Sequence, residues 1–175
     1  MNTHGHTLPE LIMCLATISA LAFVSLPAIN TLIDNHQRKV QTQSLLHQFQ
    51  KTRAIAASQH RHAILCPTDD QQQCSSNWGS QLLLFIDENY SSAYEADKDR
   101  IQGIWTLPKG WSLNWRAFGN QHRITYTPSG YLFGQNGTLE ICPAKATSEI
   151  GTLTLSRSGR PRTGRRNYSD SRCAH

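Results

Sequence analysis

The feature that most constrains the fold is a run of 23 residues without a charged side chain, from Leu11 to Ile33. As a helix this run would be about 35 Å long, and the hydrocarbon core of a bilayer is about 30 Å thick. A secretory signal peptide is the alternative, but its apolar part is usually only about 7–15 residues and follows a basic start, which this chain lacks. The sequence therefore predicts a membrane-spanning helix over residues 6–30.

The helical pattern continues beyond this run, over residues 31–58. Leu45, Phe49, Thr52 and Ala56 lie on one stripe, at i, i+4, i+7 and i+11, while polar and basic residues occupy the other faces. The second half of the helix is therefore predicted to be amphipathic, with the stripe packed on a globular domain.

Short strand-like runs separated by Pro, Gly and Asn follow the helix. The seven runs are residues 63–66, 81–87, 100–108, 111–118, 122–133, 137–142 and 150–156. Short strands joined by turns form antiparallel sheets, and the amphipathic helix is the natural cover for one face. We predict an α+β fold in which a long N-terminal helix packs on an antiparallel sheet or sandwich, with one globular domain over residues 31–155.

Four of the five cysteines lie in the predicted soluble part that follows the membrane run, and an even number suits an oxidising compartment. Three connectivities are possible, and we favour two disulfides: Cys66 with Cys74, which closes a short polar loop, and Cys142 with Cys173, which clamps the C-terminus. A zinc site is less favoured, because the seven residues between Cys66 and Cys74 exceed the usual spacing of a ligand hairpin.

The surplus of positive charge lies at the C-terminus, in a predicted basic tail over residues 156–175. Outside residues 156–173 the chain has eleven basic and eleven acidic side chains, so six arginines and Asp170 account for the net charge of +5. Arginine pairs bidentately with phosphate and keeps its charge at any relevant pH. DNA, an anionic membrane surface and an acidic subunit are the possible targets. The six arginines are Arg157, Arg160, Arg162, Arg165, Arg166 and Arg172.

An acidic residue, Glu10, lies at the start of the predicted membrane helix, where a carboxylate usually has a partner or a task. If the chain were cut after Gly5, the new amino group of His6 could pair with Glu10 of a neighbouring subunit. The stretch G-H-T-L-P-E-L resembles the class III signal of type IV pilins and pseudopilins. The resemblance implies a leader over residues 1–5, cleavage after Gly5 by a prepilin peptidase, methylation of His6 and assembly through Glu10.

Residues 5 to about 162 are similar to the GspH/FimT family of minor pilins and pseudopilins. The similarity is carried by A-I-L-C-P, by L-L-L-F-I-D-E-N and by G-Y-L-F-G-Q-N-G-T-L-E-I-C-P. The segment G-R-P-R looks like the GRxR signature of the FimT branch, whose members are linked to DNA uptake; it comprises Gly159, Arg160, Pro161 and Arg162.

The resemblance implies a pilin-like fold and a minor type IV pilin that binds extracellular DNA without sequence preference, for natural transformation. Its implied partners are DNA, other pilins in a helical filament, the prepilin peptidase and the inner membrane before assembly. The domain would be periplasmic first and part of a cell-surface pilus later. The alternative is a structural, GspH-like pseudopilin of a type II secretion system without DNA binding. A third possibility is a membrane-anchored periplasmic domain outside any filament.

No sequence motif indicates catalysis. The chain has no G-x-S-x-G, P-loop or H-E-x-x-H pattern and no nucleophile with an evident base, so no enzymatic activity, cofactor or metal is predicted. The acidic stretch over residues 87–99 has carboxylates that suit calcium, but it lacks the spacing of an EF-hand. We interpret it as a solvated hairpin loop.

Overall fold

The computed structural model describes residues 7–119 and 122–174, without the side chains at 22–28 and 174. Its elements are one long helix, eight strands and two short 3₁₀ turns. In chain order they are α1 Leu8–Gln59, β1 His62–Pro67, β2 Gln81–Asp87, β3 Arg100–Thr106, β4 Ser112–Phe118, β5 Ile124–Tyr126, β6 Asn136–Cys142, β7 Glu149–Leu155, β8 Pro161–Asn167 and the turns Tyr168–Asp170 and Arg172–Ala174. Two compact units divide between Gln37 and Arg38, inside α1.

The first unit contains the start of α1, where the Glu10 side chain accepts from the N–H of Thr7. The distance from the Thr7 nitrogen to Oε2 of Glu10 is 3.4 Å, and the Thr7 carbonyl accepts from the backbone N–H groups of Glu10 and Leu11. The large apolar side chains described from Leu8 to Leu21 are more than half exposed. Among the described residues, no helix combines the length and the apolar character needed to cross a membrane. The side chains at 22–28, which belong to the predicted span, lie outside the described set.

The second unit is built on two four-stranded antiparallel sheets. Their strand orders are β3-β2-β1-β5 in the first sheet and β4-β6-β7-β8 in the second. This architecture confirms the predicted α+β class with a long helix on antiparallel strands.

The predicted stripe of the helix lies in the core. Leu45, Phe49, Thr52 and Ala56 are all fully buried, and the apolar members share one cluster with inward-facing side chains of both sheets. Burial of a Leu or Phe side chain contributes roughly 1.5–3 kcal/mol, so this stripe holds the second half of α1 on the sheets.

Six of the seven predicted strand runs contain observed strands of similar length, and the run 122–133 was predicted too long. Only Ile124–Tyr126 forms a strand there. The chain then turns, because the N–H of Gly130 donates to the Thr127 carbonyl at 2.8 Å and Gly130 has a φ of +75°. The strand therefore ends before this turn, which reverses the chain.

The face of the first sheet that points away from α1, called its outer face, is apolar and covered. It forms a second buried cluster on β1 and β2, and side chains from the loops 68–80 and 88–99 pack against it. The cluster is Ile64, Cys66, Leu83 and Phe85, with Cys74 and Tyr94 packed on it.

Both disulfides that the sequence favoured are formed. Cys66 and Cys74 are joined with their Cα atoms 5.5 Å apart, and Cys142 and Cys173 with theirs 5.3 Å apart. The first bond closes the loop that covers the first sheet, and the second fastens the C-terminal 3₁₀ turn to β6.

Candidate nucleic-acid interface

The stretch predicted as a basic tail is in large part a strand, and this corrects the sequence interpretation. Residues Pro161–Asn167 form β8, which pairs with β7 from Leu155↔Pro161 to Glu149↔Asn167. The alternation that identifies a strand was hidden because β8 carries no large apolar side chain: it lies at the edge of its sheet, where charged residues are common.

The segment with the GRxR pattern begins in a tight turn that only glycine fits. The Gly159 N–H donates to the Ser156 carbonyl at 2.9 Å, and Gly159 has a φ of +71°. A Cβ atom at Gly159 would collide with the carbonyl oxygen of Gly130. The buried hydroxyl of Tyr126 donates to the Gly159 carbonyl at 3.1 Å, and burial raises the pKa of Tyr126, so it stays a donor. The turn is therefore held firmly in front of β8.

Alternation along β8 sends its arginines to opposite faces of the sheet. Arg165 lies opposite Gly151, on the side of α1, and its Nη1 is 3.2 Å from Oε2 of Glu149. Arg162 and Arg166 lie on the outer face of the second sheet. The structure therefore does not bring the six predicted arginines together in one loop.

Strand register adds a residue that the sequence analysis missed. Residues directly opposite each other in antiparallel strands share a face. Arg116 of β4 pairs with Thr138, Thr138 with Thr154, and Thr154 with Arg162. One row on the outer face thus runs from Arg116 to Arg162, a distance of about 14 Å at the usual strand spacing. The row also contains a hydrogen bond between the two threonine hydroxyls, at 3.3 Å.

A buried carboxylate organises the arginines beside this row. Glu140 is fully buried, and its Oε1 is 3.5 Å from Nε of Arg166 and 3.9 Å from Nη1 of Arg116. These are ion pairs without a hydrogen bond to Oε1, whereas Oε2 accepts from the backbone N–H of Arg172 at 3.0 Å. Arg116, Arg166 and Arg172 line a groove of about 420 Å³ with the exposed Phe118.

The remaining three arginines keep their charge unneutralised within the described part of the chain. Arg157, Arg160 and Arg162 are exposed and form no ion pair with a described acidic residue. Arg160 borders a second groove, of about 440 Å³, whose other wall includes Arg53 of α1. Arg53 was also missed from the sequence, because it is 107 positions from Arg160.

Both missed arginines had a weak sequence signal. The alternation of Trp111, Leu113 and Trp115 into the core, which the structure confirms, implies that Arg116 points outward. The pattern cannot reveal that β4 lies in the same sheet as β8, since pairing between distant strands is set by tertiary structure.

The other predicted sites have local explanations or lie outside the described residues. Gly5 and His6 are outside them. In the acidic stretch, Asp87 accepts from the N–H groups of Ser91 and Ser92, and Asp99 from those of Glu88 and Glu95. These two carboxylates fold the loop, and no group of His, Cys, Asp and Glu side chains in the described residues is arranged to hold a metal ion.

Comparisons with known proteins agree with this architecture. Residues 41–159 match the family model described as type II transport protein GspH. A search of curated proteins finds no match. Among solved structures, the type IV minor pilin FimU of Pseudomonas aeruginosa superposes with a TM-score of 0.53 at 18% identity, over 79% of this chain and 94% of that chain. The minor pseudopilin EpsH of the type 2 secretion system of Vibrio cholerae superposes with a TM-score of 0.52 at 16% identity, over 73% and 95%.

Identities this low show that the fold is shared, and the family match is the stronger result because it covers more than half of the chain. Together with the helix packed on two antiparallel sheets, it establishes that the chain belongs to the GspH family of type II transport proteins and has the fold of a minor pilin.

Proposed function

We propose that this chain is a minor type IV pilin of the FimT branch that binds extracellular DNA through the arginines before and on β8. The observation that carries the proposal is the set of exposed arginines without an acidic partner in the described residues, Arg157 and Arg160 at the turn fixed by Gly159 and Arg162 on β8. A rigid turn presents the guanidinium groups without a large ordering cost on binding.

The binding is independent of base sequence. Arginine contacts to phosphate position a protein on DNA but carry no sequence information, and β8 is a sheet edge rather than a helix that could enter the major groove. Each phosphate contact contributes a slope of log K against log salt of about −0.9 on duplex DNA and about −0.7 on single strands. Affinity should therefore fall steeply with salt.

The test is DNA binding by the full chain in a non-ionic detergent, measured by fluorescence anisotropy over a range of salt concentrations. Arg160→Ala with Arg162→Ala should weaken binding about tenfold or more and reduce the magnitude of the salt slope by about 1.4–1.8. The matched control is Arg61→Ala with Arg100→Ala, which removes the same charge from β3 and from the residue before β1. Equal losses in the two variants, or no binding by the wild type in dilute buffer, would reject the proposal.

The N-terminal part of the proposal concerns assembly. The chain would be cut after Gly5 by a prepilin peptidase, methylated on His6, held in the inner membrane with a periplasmic domain and then built into a filament of other pilins with Glu10 as an assembly contact. The apolar side chains exposed on the first unit support an apolar environment for this helix. Mass spectrometry of the mature N-terminus tests cleavage and methylation directly.

A second candidate function is a structural minor pseudopilin of a type II secretion system, without DNA binding. The family description and the likeness to EpsH, which comes from such a system, favour it. The salt titration above separates the two functions. If the subunit is purely structural, any DNA binding should depend on Arg160 and Arg162 no more than on Arg61 and Arg100.

A further inference from the structure

We infer that the outer face of the second sheet is a track for single-stranded DNA, which follows the row from Arg162 to Arg116 and stacks a base on Phe118. This inference rests on the proposed function and deepens it, because it names the form of DNA and a second part of the site.

The track is continuous across all four strands of the sheet. The register places Arg162, Thr154, Thr138 and Arg116 side by side, so a guanidinium group lies at each end and two hydroxyl groups lie between them. The span of about 14 Å is several nucleotides long at the rise of one DNA strand. Arginine and threonine side chains are both suited to phosphate oxygens.

The charge on this face is positive even after its internal ion pairs are counted. Arg116 and Arg166 pair with the fully buried Glu140, the backbone N–H of Arg172 donates to the same carboxylate, and Arg162 lies on this face without a described acidic partner. The single carboxylate of Glu140 pairs with two guanidinium groups and is itself buried. A polyanion therefore meets two guanidinium groups, those of Arg116 and Arg166, that Glu140 holds in place before it arrives.

An aromatic platform lies at the end of the track. Phe118 is 79% exposed, so its ring is free to contact a ligand. It is two residues from Arg116 on β4 and so lies on the same face, opposite Asn136 of β6. Phe118, Asn136 and Arg116 line the same groove with Arg166 and Arg172.

The aromatic ring decides the form of DNA. A base can stack on a side chain only when it is released from the duplex, and open sheet surfaces that combine aromatic and basic residues are a recurrent platform for single strands. In duplex DNA the bases are paired and stacked, so a duplex would contact this face through its phosphates rather than through a base on the ring. The arginines should therefore contribute to binding of both forms, and Phe118 to binding of single strands.

The experiment measures binding of the full chain, in non-ionic detergent, to a labelled 20-nucleotide oligothymidylate and to a labelled 20-base-pair duplex. Phe118→Ala should lower affinity for the oligothymidylate about tenfold and affinity for the duplex less than about twofold. Phe118→Tyr keeps the ring and should retain binding. Phe133→Ala is the matched control, because Phe133 is 61% exposed and does not line this groove.

A second variant tests the row of polar side chains. Arg116→Ala should lower affinity for both probes about fivefold and reduce the salt slope by about one contact, whereas Arg100→Ala should not. If the double variant of Arg160 and Arg162 loses binding while Phe118→Ala and Arg116→Ala bind both probes like the wild type, this inference fails and the proposed function stands. If the wild type binds neither probe, both fail.

Discussion

The outer faces of the two sheets are built in opposite ways. In the first sheet the outer face is apolar, and two loops cover it, one closed by the Cys66–Cys74 disulfide and one rich in acidic residues. In the second sheet the outer face carries an open polar groove lined by arginines, although Ile150 and Thr152 on the same face are buried. The two faces belong to one core structure, yet one serves stability and the other presents charge.

The charged residues follow the same division. In the acidic loop, Asp87 and Asp99 accept backbone hydrogen bonds, Glu88 pairs with Arg61 and Arg100, and Glu95 pairs with Lys98. The pKa of Glu95 is about 2, because it accepts hydrogen bonds from Lys98 and then Asn89. On β8 and the turn before it, arginines outnumber the acids near them. A run of charge is therefore a candidate binding surface only where the fold leaves it unneutralised.

The largest expected effect is on stability and concerns the two disulfides, one beside the covered face and one beside the open groove. Replacing Cys142 and Cys173 with alanine should lower the free energy of unfolding by about 3.5 kcal/mol, because this disulfide closes a sequence separation of 31 residues. Replacing Cys66 and Cys74, which are separated by only 8 residues, should cost about 2.5 kcal/mol. Urea denaturation of the oxidised proteins measures both values. The reverse order would show that the covered face depends more on its disulfide than the open one.

The next effect tests whether the acidic loop is structural. Asp87→Ala should lower the free energy of unfolding by about 2 kcal/mol, because the fully buried Asp87 carboxylate accepts from the backbone N–H groups of Ser91 and Ser92. DNA affinity should stay within about twofold of wild type. The control is the exposed Asp97→Ala, which should change stability by less than about 0.5 kcal/mol. A large change in DNA binding by Asp87→Ala would contradict the division between the faces.

A smaller effect tests whether an acidic partner of the arginines lowers DNA affinity. Glu149→Gln removes the acid that pairs with Arg165 and Arg38 and should raise DNA affinity about two- to threefold at low salt. Glu88→Gln is the matched control, because Glu88 pairs with two arginines and has a similar exposure, 29% against 33%. An equal rise in both variants would show that affinity follows net charge rather than the position of the arginines.

The smallest effect is a dependence of stability on pH that comes from His62 in the first sheet, with no matching dependence of DNA binding. Burial lowers the pKa of His62, and Asp87 opposes this shift only in part. The unfolded chain then binds a proton near the ordinary pKa of about 6.5 while folded His62 resists it, so stability should fall as the pH drops from about 7.5 to about 5.5. Part of this fall should disappear in His62→Gln. DNA binding by wild type should change little over the same range, because arginine does not titrate there.

Much of the fold could be predicted from the sequence because it rests on local patterns. The stripe from Leu45 to Ala56 and six of the strands follow from spacing and from turn residues, and the two disulfides are the pairing that we favoured among three connectivities. The strand β8 was missed because its edge position needs no apolar side chain, and Arg116 and Arg53 were missed because they join the arginine-rich region only through strand pairing and helix packing.

By itself the sequence determined the order of helix and strands, the faces that had to be buried and the place where positive charge exceeds negative. These properties depend on side-chain type and on periods of 3.6 and 2 residues, which are local. Only the tertiary structure decided which arginines face Glu140 and Glu149 and which remain exposed without an acidic partner, because strand register brings together residues that are far apart along the chain.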